Sequence, residues 1–203
     1  MTDPISVLRD WLTAAVGEAL PEQPTSPALD ELEDTLNVPV PDDLRRYVRV
    51  IGPYLTRAEH GLFFGMSALP LDSGWGGELV QASADWPPVE AVEPPGTLRP
   101  VPFDPAWVLL AHDHGGAYLA ADLRPGPAGQ VGQIISCGPR ETRRLQLAVS
   151  LTEFLTDLLW HAARGTVQVE RGAGRLDVWF TDPEITHPID LCLQRGAAAL
   201  RRS

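Results

Sequence analysis

Hydrophobic positions along the chain follow a helical period first, then a strand period, then a helical period again. Near the N-terminus, apolar residues recur every three or four positions, which predicts a helix over residues 4–20. Ser26 and Pro27 are typical of the start of a second helix, with serine as N-cap and proline in the first turn. A third helix is predicted over residues 42–51. Each of these helices has one apolar face that can be buried.

The centre of the chain contains three short apolar runs separated by turn residues. They cover residues 107–112, 117–123 and 130–136, with Gly115-Gly116 in the first break and a Pro/Gly-rich stretch in the second. Neighbouring strands with short connections pair at the lowest entropic cost as an antiparallel meander. A fourth strand is predicted over residues 145–149.

The C-terminal third is predicted to form a helix followed by a β-hairpin. Ser150-Leu-Thr-Glu153 has the pattern of a capping box, which predicts that a helix follows. Residues 167–170 and 175–180 flank a Gly-Ala-Gly turn and are typical of a β-hairpin. A last helix is predicted over 189–202. The fold class is therefore α+β, with an antiparallel or mixed sheet of about five to six strands flanked by N- and C-terminal helices.

Less regular stretches lie before the central strands. Residues 61–65 are a candidate edge strand, and residues 69–77, with Trp75 between glycines, are turn-like. Proline occurs seven times in residues 86–105, which excludes a helix or a central strand because proline lacks the N–H donor. We expect a long surface loop there. Residues 1–165 should form one domain, with the hairpin and helix of residues 166–203 packed on it.

Composition narrows the class of protein. At 203 residues and 44% hydrophobic content, the chain suits a single globular domain with a real core. It has no apolar run long enough to span a bilayer and no signal-peptide pattern, so we expect a cytoplasmic protein. Cys137 and Cys192 match no CxxC pattern and are expected to be reduced, buried thiols, with a single disulfide as the alternative.

The net charge of the chain indicates which class of partner it binds. The formal net charge is −11, and every basic residue is arginine, with no lysine. An acidic surface repels the phosphates of nucleic acid and attracts basic proteins. We therefore expect a protein partner and neither nucleic acid nor membrane, with the oligomeric state open.

The strands resemble those of a known family. A tryptophan-led strand, an Asp-x-Gly-Gly turn, a strand ending Leu-x-x-Asp-Leu-x-Pro and a Gly-x-x-Gly-x-Ile strand are similar to the SUKH superfamily, which holds bacterial immunity proteins and fungal cell-wall-assembly regulators. The matching residues are Trp107, Asp113, Gly115, Gly116, Asp122, Leu123, Pro125, Gly129, Gly132 and Ile134. Residues 148–155 and 40–45 match its later helix and its Leu-Pro-x-x-Leu motif, the latter with Val40 in place of leucine. The resemblance spans roughly residues 26–162.

His112-Asp113-His114 is the tripeptide with the most reactive side chains in the sequence. Alternate residues of a strand share a face, so the two histidines could bind one metal, with Asp104 or Asp122 as third ligand. The alternative is a solvated hairpin end in which Asp113 bonds turn amides. Asp113 and Asp122 could also form an acid/base pair. Because no nucleophile elbow, P-loop or dinucleotide motif is present, we predict no catalytic residues, no metal and no cofactor.

The resemblance implies a binding function. We predict a non-catalytic protein-binding module, of an immunity type that neutralises a toxin domain by occlusion. The candidate partner-binding residues are Trp75 and Trp86, which lie in Gly/Pro-rich stretches and suit interface anchors, together with Asp113 and Asp122. The alternatives are a regulatory scaffold or a metal-dependent hydrolase that uses His112, Asp113 and His114.

Overall fold

Three amphipathic helices open the chain: α1 (Pro4–Val16), α2 (Pro27–Leu36) and α3 (Asp42–Leu55). The structure, a computed structural model, describes residues 3–24, 26–70 and 75–182, and residues 185, 188 and 190. The side chain of Ser26 caps α2 as predicted, accepting from the N–H of Leu29 at 3.4 Å. Helix α1 ends earlier than predicted, at a left-handed Gly17, whereas α3 continues past Gly52.

The central strands follow in the predicted order. The further elements are β1 (Ser67–Ala68), α4 (Trp75–Ala82), β2 (Ala91–Glu93), β3 (Trp107–His112), β4 (Tyr118–Asp122), β5 (Gln133–Cys137), β6 (Arg143–Ala148), α5 (Leu151–Ala163), β7 (Val167–Gly172) and β8 (Arg175–Phe180). Six strands form one sheet in the order β1-β3-β4-β5-β6-β2, and β7 and β8 form a separate hairpin. All pairs are antiparallel except β2 with β6, so the sheet is mixed. The predicted α+β class is confirmed.

Two predictions for the stretch before β3 are wrong. Residues 61–65 form isolated bridges and no strand, because the backbone of Phe64 and Gly65 is left-handed, with φ of +55° and +86°, and strand β1 starts two residues later. Trp75 does not lie in a turn, since α4 begins at this residue. Residues 71–74 lie outside the described residues, as does nearly all of the predicted helix over 189–202.

The proline-rich loop covers one face of the sheet. It contributes strand β2, which pairs at the edge of the sheet in accordance with the rule against proline in central strands. Its Leu98 and Phe103 are buried, at 2% and 8% exposure, so the prediction of a surface loop is wrong for these positions. Leu98 and Phe103 therefore belong to the core, whereas the prolines at 87, 88, 94, 95, 100 and 105 stay exposed.

Strands β3, β4 and β5 are buried on both faces because their side chains alternate between two apolar clusters. The larger cluster packs the helices against one face, and it includes Val108, Leu110, Leu119, Ala121 and Ile134. The smaller cluster packs the proline-rich loop and α4 against the other face, and it includes Trp107, Leu109, Ala120, Ile135 and Cys137. Cys137 is a free buried thiol, as predicted, whereas Cys192 lies outside the described residues. Burial raises the pKa of Cys137 to about 12.

Buried polar groups bind the proline-rich loop to the strands. The Asp104 carboxylate is 2% exposed and accepts from Arg99 Nη1 and Arg124 Nη2, both at 2.6 Å. The Gln133 Nε2 group donates to the Thr97 carbonyl oxygen at 2.8 Å. These bonds satisfy charges and amides that burial would otherwise leave without partners.

His60 attaches the β7–β8 hairpin to α3. Its Nδ1 accepts from the backbone N–H of Leu176 at 3.1 Å, so Nε2 carries the proton and donates to the Tyr54 carbonyl oxygen at 3.3 Å. The side chain is fully buried, and burial lowers its pKa.

No helix in the described part of the chain is long and apolar enough to cross a bilayer.

We predict that His60 makes stability fall on acidification. The unfolded chain takes up a proton near pH 6.5 whereas the folded chain resists it, so the unfolding free energy decreases below that pH by up to about 1.4 kcal/mol per pH unit. Urea unfolding of wild type and His60→Asn between pH 7.5 and 5 measures this, because asparagine keeps an acceptor near Nδ1 without titrating. An equal pH dependence in both proteins would contradict the prediction.

Candidate functional site

The predicted His112-Asp113-His114 tripeptide lies at the end of the β3–β4 hairpin. The Asp113 Oδ1 atom accepts from the N–H groups of Gly115 at 2.7 Å and Ala117 at 2.8 Å. The backbone of His114 is left-handed, with φ of +58°. Asp113 therefore builds the turn, as the alternative interpretation of this motif predicted.

Two residues from distant parts of the chain join this hairpin end. His114 Nε2 lies 3.0 Å from both Ser67 Oγ and Glu59 Oε1, and the Ser67 hydroxyl donates to Glu59. The rings of His112 and His114 are 4.1 Å apart. Hydrogen bonds from Ser67 and His114 lower the pKa of Glu59, and burial with the charge of His114 lowers that of His112. The sequence alone does not link Glu59 or Ser67 to the hairpin, because no motif connects them to it.

This cluster lacks the geometry of a Ser-His-acid triad. In a Ser-His-acid triad the serine and the acid bind opposite ring nitrogens, so that the histidine can take the serine proton. Here Ser67 and Glu59 both contact Nε2 of His114, and the serine proton is directed to the carboxylate. No group of three or more His, Cys, Asp or Glu in the described ranges has the arrangement of a metal site. Asp104, a suggested third ligand, binds two arginines instead.

Asp122 lies inside the protein. Its side chain is fully buried and accepts from Arg124 N–H at 2.9 Å and Gln133 Nε2 at 3.0 Å, and burial raises its pKa. A partner cannot touch it in this conformation. Asp122 pairs with Trp107, at the other end of the hairpin from Asp113. Roughly 15 Å of extended chain separates the two acids, too far for an acid/base pair.

The two loop tryptophans have different surroundings from those expected. Trp86 is half-buried and packs edge-on against Phe103, with ring centroids 5.9 Å apart, so it holds the proline-rich loop to the sheet. Trp75 begins α4, and its side chain lies outside the described residues. Trp160 and Trp179 are the more exposed rings, at 47% and 44%.

A groove runs beside Trp160 between α5 and β6. Its volume is about 400 Å³, and its lining residues are Leu147, Ala148, Glu153, Phe154, Thr156, Asp157 and Trp160. The helical members recur at three- and four-residue spacing, so they share one face of α5. The N-cap bond predicted by the capping box forms, from Glu153 N–H to Ser150 Oγ at 3.1 Å. The carboxylate of Glu153 lines the groove.

The meander and helices α2 and α3 lie within the part of the chain that matches a known protein family. The model of the SMI1 / KNR4 family (SUKH-1) matches residues 23–157, two thirds of the chain and nearly the span expected from the sequence. The chain belongs to this family. The matched residues include the meander and most of α5, and therefore most of the groove.

Curated relatives of this family member are fungal regulators. The chain is 28% identical over 196 residues to the cell wall biosynthesis/cell cycle regulator smi1 of Schizosaccharomyces pombe, covering 86% of this chain and 38% of that protein. It is 39% identical over 62 residues to the cell wall assembly regulator SMI1 of Saccharomyces cerevisiae, covering 30% and 12%. It is 35% identical over 91 residues to the glucan synthesis regulatory protein of Neurospora crassa, covering 45% and 15%. The chain thus spans less than half the length of these relatives.

We predict that Asp113 contributes to stability through its turn. Asp113→Ala removes the acceptor of two backbone N–H groups and should lower the unfolding free energy by about 1 kcal/mol. Asp113→Asn retains an acceptor oxygen and should cost much less. Urea unfolding of the three proteins measures both changes. Equal losses in the two variants would show that the charge of Asp113, and not its turn bonds, matters.

Proposed function

We propose that this chain is a non-catalytic protein-binding module that acts in the cytoplasm as a regulatory scaffold. Three relatives named above are regulators of cell-wall biosynthesis, of cell-wall assembly or of glucan synthesis, and none of these names denotes an enzyme. The observation that carries the proposal is the family match over residues 23–157. The chain spans less than half the length of those relatives. The role of each relative as a whole protein is therefore extended to this chain only as a proposal.

The geometry of the hairpin end supports a binding role over a hydrolytic one. Ser67 and Glu59 share one ring nitrogen of His114, an arrangement that differs from a triad in which the histidine is the base for the serine. A groove with an exposed aromatic ring, by contrast, has the features of a protein-binding hot spot. This favours occlusion or bridging of a partner without chemical change in it.

The second candidate function is immunity, in which the module occludes a toxin domain. The net charge of −11 favours it, because toxins that attack nucleic acid are often basic. A scaffold and an immunity protein differ in what their loss does to the cell. Deletion of a scaffold gene alters the regulated process in the absence of any toxin, whereas deletion of an immunity gene is harmless until the cognate toxin is present.

We predict that the purified chain captures one protein from an extract of its own organism at a fixed ratio. Because the chain has no lysine, an amine-reactive matrix holds it through its N-terminal amine alone, which leaves its surface accessible. The captured protein, purified separately, should re-form the complex on size-exclusion chromatography and keep an unchanged intact mass. Covalent modification or cleavage of that protein by this chain would overturn the non-catalytic proposal.

The same complex separates the two candidate functions. If the partner kills cells when it is expressed alone and co-expression of this chain restores growth, the module is an immunity protein. If the partner is harmless alone and its activity changes when the complex forms, the module is a regulatory scaffold.

A further inference from the structure

The groove between α5 and β6 combines an apolar floor with acidic walls. Leu147, Ala148 and Phe154 form the floor, and Ala148 and Phe154 are themselves buried. Glu153 and Asp157, one helical turn apart, add two carboxylates on the same face of α5. Trp160 closes the end of the groove with a ring that is 47% exposed. These features together define a site for a side chain that is apolar along its length and cationic at its tip.

The charges around the groove favour a cation. Its seven lining residues include two acids and no base. Asp157 lies 3.8 Å from Nε2 of His161, whose side chain is 8% exposed. The guanidinium of Arg164 lies 4.4 Å from the centre of the Trp160 ring, so this ring already carries a cation of the same chain, and the two carboxylates are the groups that favour an incoming one.

We propose that this groove binds a lysine- or arginine-bearing segment of a protein partner. The aliphatic stem of such a side chain would cover the apolar floor beside Trp160, while its charged head reaches Glu153 and Asp157. The net charge of −11 attracts the same class of segment over a longer range. Nucleic acid, with its phosphates, is repelled by both features. The proposal rests on the proposed function and adds the chemistry of the partner.

The absence of lysine allows a direct test. A carbodiimide joins a carboxylate to an amine, so apart from the N-terminal amine this chain cannot crosslink to itself. The probe is a ten-residue peptide of alternating lysine and glycine, and the control peptide has glutamate in place of lysine. Mass spectrometry of the crosslinked chain should place the lysine peptide mainly on Glu153 and Asp157. Crosslinks spread evenly over the exposed carboxylates would overturn the proposal.

Matched variants give a second readout. Glu153→Gln and Trp160→Ala should each weaken peptide binding about fivefold to tenfold, as measured by titration at low salt, because each removes about 1 kcal/mol of interaction. Glu31→Gln on α2 and Trp179→Ala on β8 remove an exposed acid and a similarly exposed ring elsewhere, and should change binding less than about twofold. Circular dichroism checks that all four variants are folded. Equal losses in the groove and control variants would overturn the proposal.

The outcome for the groove is separable from the outcome for the proposed function. If Glu153→Gln and Trp160→Ala still capture the partner as the wild type does, the groove proposal fails while the binding function stands. If the peptide binds the groove but no protein partner is captured, the proposed function fails.

Discussion

The structure depends on the burial of both faces of the β3–β4–β5 meander. A sheet covered on one face can leave the other in water, but here apolar side chains alternate to two separate clusters. The helices cover one face. The other is covered by the proline-rich loop, which is fixed by the bonds of Asp104 with Arg99 and Arg124 and of Gln133 with Thr97. Leu98 and Phe103 of the loop are therefore part of the core, although the composition of the loop is that of a surface segment.

The same packing determines which of the predicted binding residues are accessible. Asp122 and Trp86 lie within or against the packed loop and sheet, so they hold the fold together. Helix α5 packs its apolar face on the sheet and leaves Glu153 and Trp160 on the outside, beside β6. Asp113 also has a structural role, because it closes the turn between β3 and β4.

Much of the fold could be predicted from the sequence, because the spacing of hydrophobic residues and the residue preferences of turns are local properties. The strands of the meander, the Ser26 cap and the turn role of Asp113 followed from neighbouring residues. The burial of Leu98 and Phe103 could not be predicted in this way, since it depends on a sheet face formed later in the chain. The same holds for the approach of Glu59 and Ser67 to His114, and for the exposure of Trp160, which lies in a helix with several apolar neighbours.

The central claim is that this SMI1/KNR4 family member binds a protein partner through the face of α5 beside β6. Hydrogen–deuterium exchange of the chain, alone and with its captured partner, tests this most directly. We expect slower exchange across residues 146–161 in the complex, with the β3–β4 turn at Asp113 unchanged. Protection confined to that turn or to the β7–β8 hairpin, with none in α5 and β6, would contradict the account.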